Sequence, residues 1–248
     1  AFDAAISAVF TSMTSEFALT GVGGGGAMMV RTPGSEPVLY DFFVNTPPRI
    51  ENEELDFFQV KVDFGDSTQI FNIGKGSAAV PGTLLGLFTV QEKFGVLPLS
   101  VVLEPAIYLA RKGSVLNRQQ AFIFKILEPI FSLTLEGRDL FYSKGKILRE
   151  GDRFINTDFA YFLELVSREG VASFYSGEVA ELIEHNFREG GVLNKKALSQ
   201  YHVAVRKPVM TTFRDNLVYS NPAPSIGGTL IIFLLRLIQE SKIQNIQT

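Results

Sequence analysis

The sequence predicts a mixed α/β chain with strands at both ends and a helical middle, and three features carry that prediction. Apolar residues Phe2, Ile6, Val9, Phe10 and Met13 recur at helical spacing, then give way to a glycine run and a short apolar strand. The middle of the chain shows amphipathic stripes separated by capping residues and glycine stops. Toward the end, strand-like runs around the turn Arg214-Asp215-Asn216 precede a Pro/Gly segment and a last apolar helix.

Taken in order, Ala27 to Arg31 and Pro37 to Phe43 read as two strands of a hairpin closed by Thr32-Pro33-Gly34-Ser35. Phe57 to Phe64 alternates partly with period two, and Gln69 to Ile73 is a further short strand. From Thr83 onward Leu84, Leu87 and Phe88 share a helical face, and Leu99 to Arg111 forms a second helix ended by Lys112-Gly113. Thr157 reads as the N-cap of a helix over Asp158 to Glu169, with Phe159, Phe162, Leu163 and Val166 inward. Ser176 reads as the start of another, with Val179, Leu182, Ile183 and Phe187 inward. His202 to Phe213 and Leu217 to Ser220 read as strands. No linker or repeat divides residues 1–248, so one domain is expected.

Composition narrows the function classes. With 46% hydrophobic and 20% charged residues the chain is globular, and 248 residues suffice for a substantial core. A formal charge of -3 with no basic stripe gives no case for nucleic acid. The absence of cysteine excludes a disulfide framework, a thiol nucleophile and a Cys-ligated zinc, and leaves the compartment open. The most apolar window, Thr229 to Ile238, is interrupted by Arg236 and is too short to span a bilayer. Ala1-Phe2-Asp3 already sits within a helical pattern, which leads us to expect a fragment of a longer protein.

The segment Leu19 to Val30, LTGVGGGGAMMV, contains Gly21, Gly23 and Gly26 at the spacing of a dinucleotide-binding loop. Such a loop needs a strand before it and a helix after it, and here the order is reversed. The glycines therefore mark close approach of backbone rather than a phosphate cradle. His185 and His202 are the only histidines. The first sits beside Glu184 on a polar helix face and reads as solvated, and the second opens a strand after Tyr201 and reads as an edge residue. Leu182 occupies the place H-x-x-E-H would give a histidine, and no other spacing suits a metal. Ser225 in PAPSIGG lacks the G-x-S-x-G elbow and reads as a structural turn. The acidic run Glu51 to Asp56 reads as solvated loop. The residues by themselves hold no complete catalytic set.

Several stretches together do point to one family. Asp3 to Ala8 (DAAISA), GVGGGGAMMV, Ser77 to Gly86 (SAAVPGTLLG), Phe94 to Gly113 (FGVLPLSVVLEPAIYLARKG), Gly170 to Ala180 (GVASFYSGEVA) and Tyr219 to Gly228 (YSNPAPSIGG) follow one another in order. The chain resembles the large chain of γ-glutamyltranspeptidases. That resemblance implies a four-layer αββα sandwich of the N-terminal-nucleophile hydrolases, made as a proenzyme that cuts itself in two. The catalytic threonine would begin a small chain from the same precursor, so no catalytic residue, metal or cofactor is expected in the present, incomplete large chain. The partner implied is that small chain, in a heterodimer or higher oligomer, and the substrate a γ-glutamyl or other acyl amide. A periplasmic or extracellular setting is implied, while the sequence itself leaves a cytoplasmic one open. Two other readings stand beside it: an amide acylase with a non-glutamyl donor, and a catalytically silent scaffold.

One departure bears on specificity. The best-known family members end the second strand in D-G-R-E-T-A-P, whose arginine grips the substrate α-carboxylate. Here the aligned residues are Asp41-Phe42-Phe43-Val44-Asn45-Thr46-Pro47, and Phe43 cannot pair with a carboxylate. Phe43, Asn45 and Arg49 are the candidate substrate-binding residues, Arg49 as the nearest replacement cation. Gly23 to Gly26 are expected in the interior near the pocket, against the small chain's first strand, with Gly24 the position that tolerates no side chain. The stripe Ile231, Leu234, Leu235 and Ile238 on the last helix is expected to need a partner surface.

Overall fold

The computed structural model describes residues 1–48 and 54–241. Helix α1 (Phe2–Ser15) buries Ile6, Phe10 and Met13 along one stripe. Strands β1 (Gly26–Val30) and β2 (Val38–Phe42) form the expected hairpin, in register from Gly26 opposite Phe42 to Val30 opposite Val38. Its turn is closed by Ser35 N–H donating to Thr32 O, with Gly34 at φ +75°. A second hairpin, β3 (Phe58–Asp63) with β4 (Thr68–Ile73), leads into α2 (Thr83–Phe94) and α3 (Leu99–Lys112). Asp3 ties the start of α1 to the end of α2: its carboxylate accepts from Gln91 Nε2 at 2.8 Å and from Val96 N at 3.0 Å. Those donors hold its pKa below the usual carboxylate value.

Residues 114–156, to which the sequence patterns assign no element, carry a small structured unit. It comprises β5 (Ser114–Val115), α4 (Arg118–Phe131), α5 (Leu135–Phe141), β6 (Tyr142–Ser143), β7 (Lys146–Ile147) and β8 (Arg153–Phe154). Leu116, Phe124, Phe141, Ile147, Leu148 and Phe154 form its own core, and Phe131 and Phe141 stack with centroids 3.8 Å apart. Helix α4 is amphipathic, with Phe124 and Ile126 buried and Arg118 and Lys125 exposed. Its start is a capping box, with Asn117 Oδ1 accepting from Gln120 N and Gln120 Oε1 from Asn117 N.

Helix α6 (Thr157–Glu169) is capped by Asn156, not Thr157: the buried Asn156 Oδ1 accepts from Phe159 N at 2.9 Å, while Thr157 is the first helical residue. Ser176 likewise opens nothing. It ends the short α7 (Ala172–Tyr175), donating to Ala172 O, and α8 (Glu178–Asn186) starts after Gly177. Within α8 Leu182 is 61% exposed rather than inward, because the helix packs through Ala180 and the half-buried Val179 and Ile183. After α9 (Lys195–Ser199), the run His202 to Phe213 is two strands, not one. Pro208 has no N–H for a ladder, so β9 (Ala204–Arg206) pairs with β2 while β10 (Val209–Phe213) pairs with β11 (Asn216–Ser220).

Strands β1, β2 and β9 make a three-stranded antiparallel sheet. One face, with Met28, Val30, Tyr40 and Phe42, packs on the main core with α1, α2, α3 and α6. The opposite face presents Ala27, Leu39 and Asp41. The last helix α10 (Ile226–Glu240) lies on the β10–β11 hairpin. Arg236, which interrupts its apolar run, pins it there by donating from Nη2 to Met210 O at 2.9 Å. Ile231 and Leu234 of the expected stripe are exposed, Leu235 and Ile238 half-buried, and Ile226, Leu230, Phe233 and Leu237 add to the open surface.

The cap assignment is testable by equilibrium denaturation. Asn156→Ala should lower stability by about 1 kcal/mol, and Thr157→Ala by less than about 0.5 kcal/mol; the reverse order would restore Thr157 as the cap.

Candidate active-site cleft at the end of strand β2

The glycine run turns over the first turn of α2. Gly24 O accepts from Gly82 N at 2.9 Å and Thr83 N at 3.1 Å, satisfying donors that a helix start leaves free. The end of β2 passes beneath this turn. A Cβ on Gly25 would meet Val44 N at 2.5 Å and Phe42 O and Phe43 C at 2.9 Å, all backbone. Asn45 and Val80 exchange backbone hydrogen bonds of 3.1 and 2.8 Å as an isolated antiparallel bridge. On the other side Tyr201 Oη donates to Phe43 O at 2.8 Å. The Asp41 carboxylate accepts from Phe43 N at 3.1 Å and from Arg206 Nε at 2.6 Å.

Phe43 is therefore held by its main chain while its ring stays 65% exposed. It lines a cleft of about 540 Å³ bounded by Ala27, Leu39 and Asp41 on the sheet and by Pro222, Pro224, Ser225 and Ile226 on the turn before α10. Ser225 is the N-cap of α10, its Oγ accepting from Gly228 N at 3.5 Å, in keeping with a structural turn. The cleft wall is mostly apolar, and its charged member, Asp41, is paired with Arg206.

The candidate binding residues separate here. Phe43 faces the cleft. Asn45 is exposed but spends its main chain on the bridge to Val80 and is not part of the cleft wall. Arg49 lies outside the described residues. His185 and His202 are exposed and away from the cleft. Asp56, of the acidic run, is exposed yet organised: its Oδ2 accepts from Lys75 N and its own N–H donates to Gly190 O. Among the described residues no group of three His, Asp or Glu side chains converges on a metal-sized site.

The glycine run also differs from expectation. Gly23 and Gly25 are exposed and Gly24 and Gly26 half-buried, because the loop lies across α2 at the surface of this chain. The crowded position is Gly25 and not Gly24, whose Cβ would meet only Gly21 O at 3.4 Å and Thr83 Oγ1 at 3.8 Å. Tyr201 and Arg206, which frame the site with Tyr175, carry no local sequence signal, since their partners Phe43 and Asp41 lie 158 and 165 residues away. Burial, and then the Asp41 charge, push the Tyr201 phenol up to about 12. Burial raises Tyr175 as well. Both hydroxyls stay protonated donors at neutral pH.

The geometry joins the turn before α10, which belongs to the resemblance, to the end of β2, where the chain departs from the family's pattern. The model of one family, gamma-glutamyltranspeptidase, matches residues 1–248. The chain belongs to the γ-glutamyltranspeptidase family. It is 29% identical over 241 residues to the glutathione hydrolase proenzyme of Escherichia coli (strain K12), covering 96% of this chain and 41% of that protein. It is 27% identical over 244 residues to the acylase ACY 1 proenzyme of Pseudomonas sp. (strain SE83), covering 96% and 43%. The crystal structure of Helicobacter pylori γ-glutamyltranspeptidase superposes with a TM-score of 0.86 at 30% identity, covering 98% of this chain and 69% of that one. The chain thus spans about two fifths of the length of the curated relatives it matches. Its α+β fold is that of the γ-glutamyltranspeptidases, represented here by the β1–β2–β9 sheet, the β10–β11 hairpin and their helices.

Gly25→Ala should destabilise the chain by about 1–3 kcal/mol, the usual result of forcing atoms into packed backbone. Gly24→Ala should fall within about 0.5 kcal/mol of wild type. Equal losses in chemical denaturation would contradict the threading of β2 beneath Gly25.

Proposed function

We propose that this chain is the large chain of a two-chain γ-glutamyltranspeptidase-like enzyme, and that its cleft takes the acyl group of an amide donor. The observation that carries this reading is the convergence of Phe43 with the Pro222–Ile226 turn around one cleft. The nucleophile would be the threonine that begins the small chain. Its hydroxyl oxygen attacks the amide carbonyl, its α-amine takes the proton and passes it to the leaving amine, and water or a second amine then releases the acyl group. The small chain would also cover the apolar surface of α10, of which Phe233 is 55% and Leu234 53% exposed.

Within that reading the donor subsite is apolar. Where the family's best-known members place an arginine, Phe43 lines the cleft together with Ala27, Leu39, Pro222 and Ile226, and Asp41 is paired with Arg206. A donor bearing an α-carboxylate would lose a charge-assisted pair here, a loss of about 1.5–3 kcal/mol, or roughly ten- to a hundredfold in binding. This lining favours a related activity on amides whose acyl group is aliphatic. The similarity to a proenzyme named as an acylase supports the same direction.

Steady-state kinetics of the full-length protein on matched γ-glutamyl and aliphatic acyl anilides test this. The aliphatic donor should have the higher kcat/KM, and Phe43→Arg should move the ratio toward the γ-glutamyl donor by about tenfold or more. A large γ-glutamyl preference that survives Arg49→Ala would overturn both the apolar subsite and a rescuing role for Arg49.

A further inference from the structure

Beyond the residues that line the cleft, a pair of tyrosines lies directly behind Phe43. We propose that Tyr201, backed by Tyr175, is a positioning residue that fixes the donor-facing strand end onto the first turn of α2; this rests on the donor subsite assigned above.

Tyr201 is 8% exposed and sits just ahead of β9, the strand that pairs with β2. Its hydroxyl donates to Phe43 O at 2.8 Å and reaches over Gly82, the N-cap of α2. A Cβ on Gly82 would overlap both Tyr201 Oη and Phe42 O, so the residue must be glycine for the contact to exist. Tyr175, 6% exposed, stacks on Tyr201 with centroids 5.9 Å apart and planes 18° apart. Its hydroxyl donates to Pro81 O at 2.9 Å and accepts from Leu85 N at 3.3 Å. One tyrosine thus grips the strand end, the other grips the helix start, and their rings are in contact. Asp41 holds the amide side of Phe43 and Tyr201 its carbonyl side, so its main chain is fixed at both ends of the residue. Removing the Tyr201 hydroxyl frees the carbonyl side and leaves the ring stack in place. The strand end then spends part of its time away from the binding-competent position, which weakens apparent binding by the fraction lost.

Tyr201→Phe in the full-length protein separates positioning from bulk stability. Hydrogen exchange of the amides of residues 42–46 should accelerate about fivefold or more relative to wild type, with the rest of the chain unchanged. KM for the preferred anilide should rise about five- to tenfold with kcat within twofold, the mark of lost ground-state positioning. Tyr175→Phe, which keeps the Phe43 bond, should give a smaller KM change. Unchanged exchange in 42–46 overturns the proposal, and so does faster exchange with an unchanged KM. If wild type turns over neither anilide, the donor assignment fails, and the exchange result alone decides whether the tyrosines hold the strand.

Discussion

Much of this structure depends on how the ring of Phe42 fits between two glycines. Phe42 closes β2 opposite Gly26, and its ring lies 3.0 Å from where a Cβ on Gly26 would stand. Its ring atoms also occupy the space a side chain on Gly86 of α2 would need. The ring, 5% exposed, therefore locks the sheet to the helix at van der Waals contact, with backbone and not side chains on the other side. This close approach brings the rest of the site within hydrogen-bond range. It sets Val80 opposite Asn45, Gly24 over the start of α2, and Tyr201 against Phe43.

The same constraint divides labour at the cleft. The main chain from Asp41 to Asn45 is held by a carboxylate, a phenol and a strand bridge, none of which involves the Phe43 side chain. The Phe43 side chain and the wall facing it are thereby left out of the frame, and under the proposed reading they are what selects the donor. In that reading an apolar residue at position 43 alters donor choice while the main-chain bonds to Phe43 stay in place.

How much of this was legible in the sequence follows from the range of each interaction. The β1–β2 hairpin, α1, α2 and α3 follow from local periodicity and turn residues, and the family from ordered segments along the chain. The position of Phe43 in the cleft is legible only through the family pattern. Local signals were less decisive at caps: Thr157 and Ser176 have the right chemistry, but Asn156 and Gly177 hold the capping positions. Within 114–156 the strands are two residues each, too short for a periodic signal, while α4 carries one in its amphipathic stripe and its Asn117–Gln120 capping box. Tyr201 and Arg206 could not be found at all, since the partner of each lies far away in the chain, and Tyr175 falls in the segment GVASFYSGEVA of the resemblance without its contacts being legible there. The crowding at Gly25 rather than Gly24 likewise depends on which side of the loop β2 passes.

A double-mutant cycle on Phe42 and Gly86 tests the central packing most directly. Gly86→Ala alone should cost about 1–3 kcal/mol by overpacking against the ring. In the Phe42→Ala background the same change should be neutral or stabilising by up to about 1 kcal/mol, since alanine is the better helix former. The coupling energy from denaturation should thus be about 1–4 kcal/mol in favour of the double variant. Additivity within about 0.5 kcal/mol would mean that the Phe42 ring does not fill the space over Gly86, and would contradict the account.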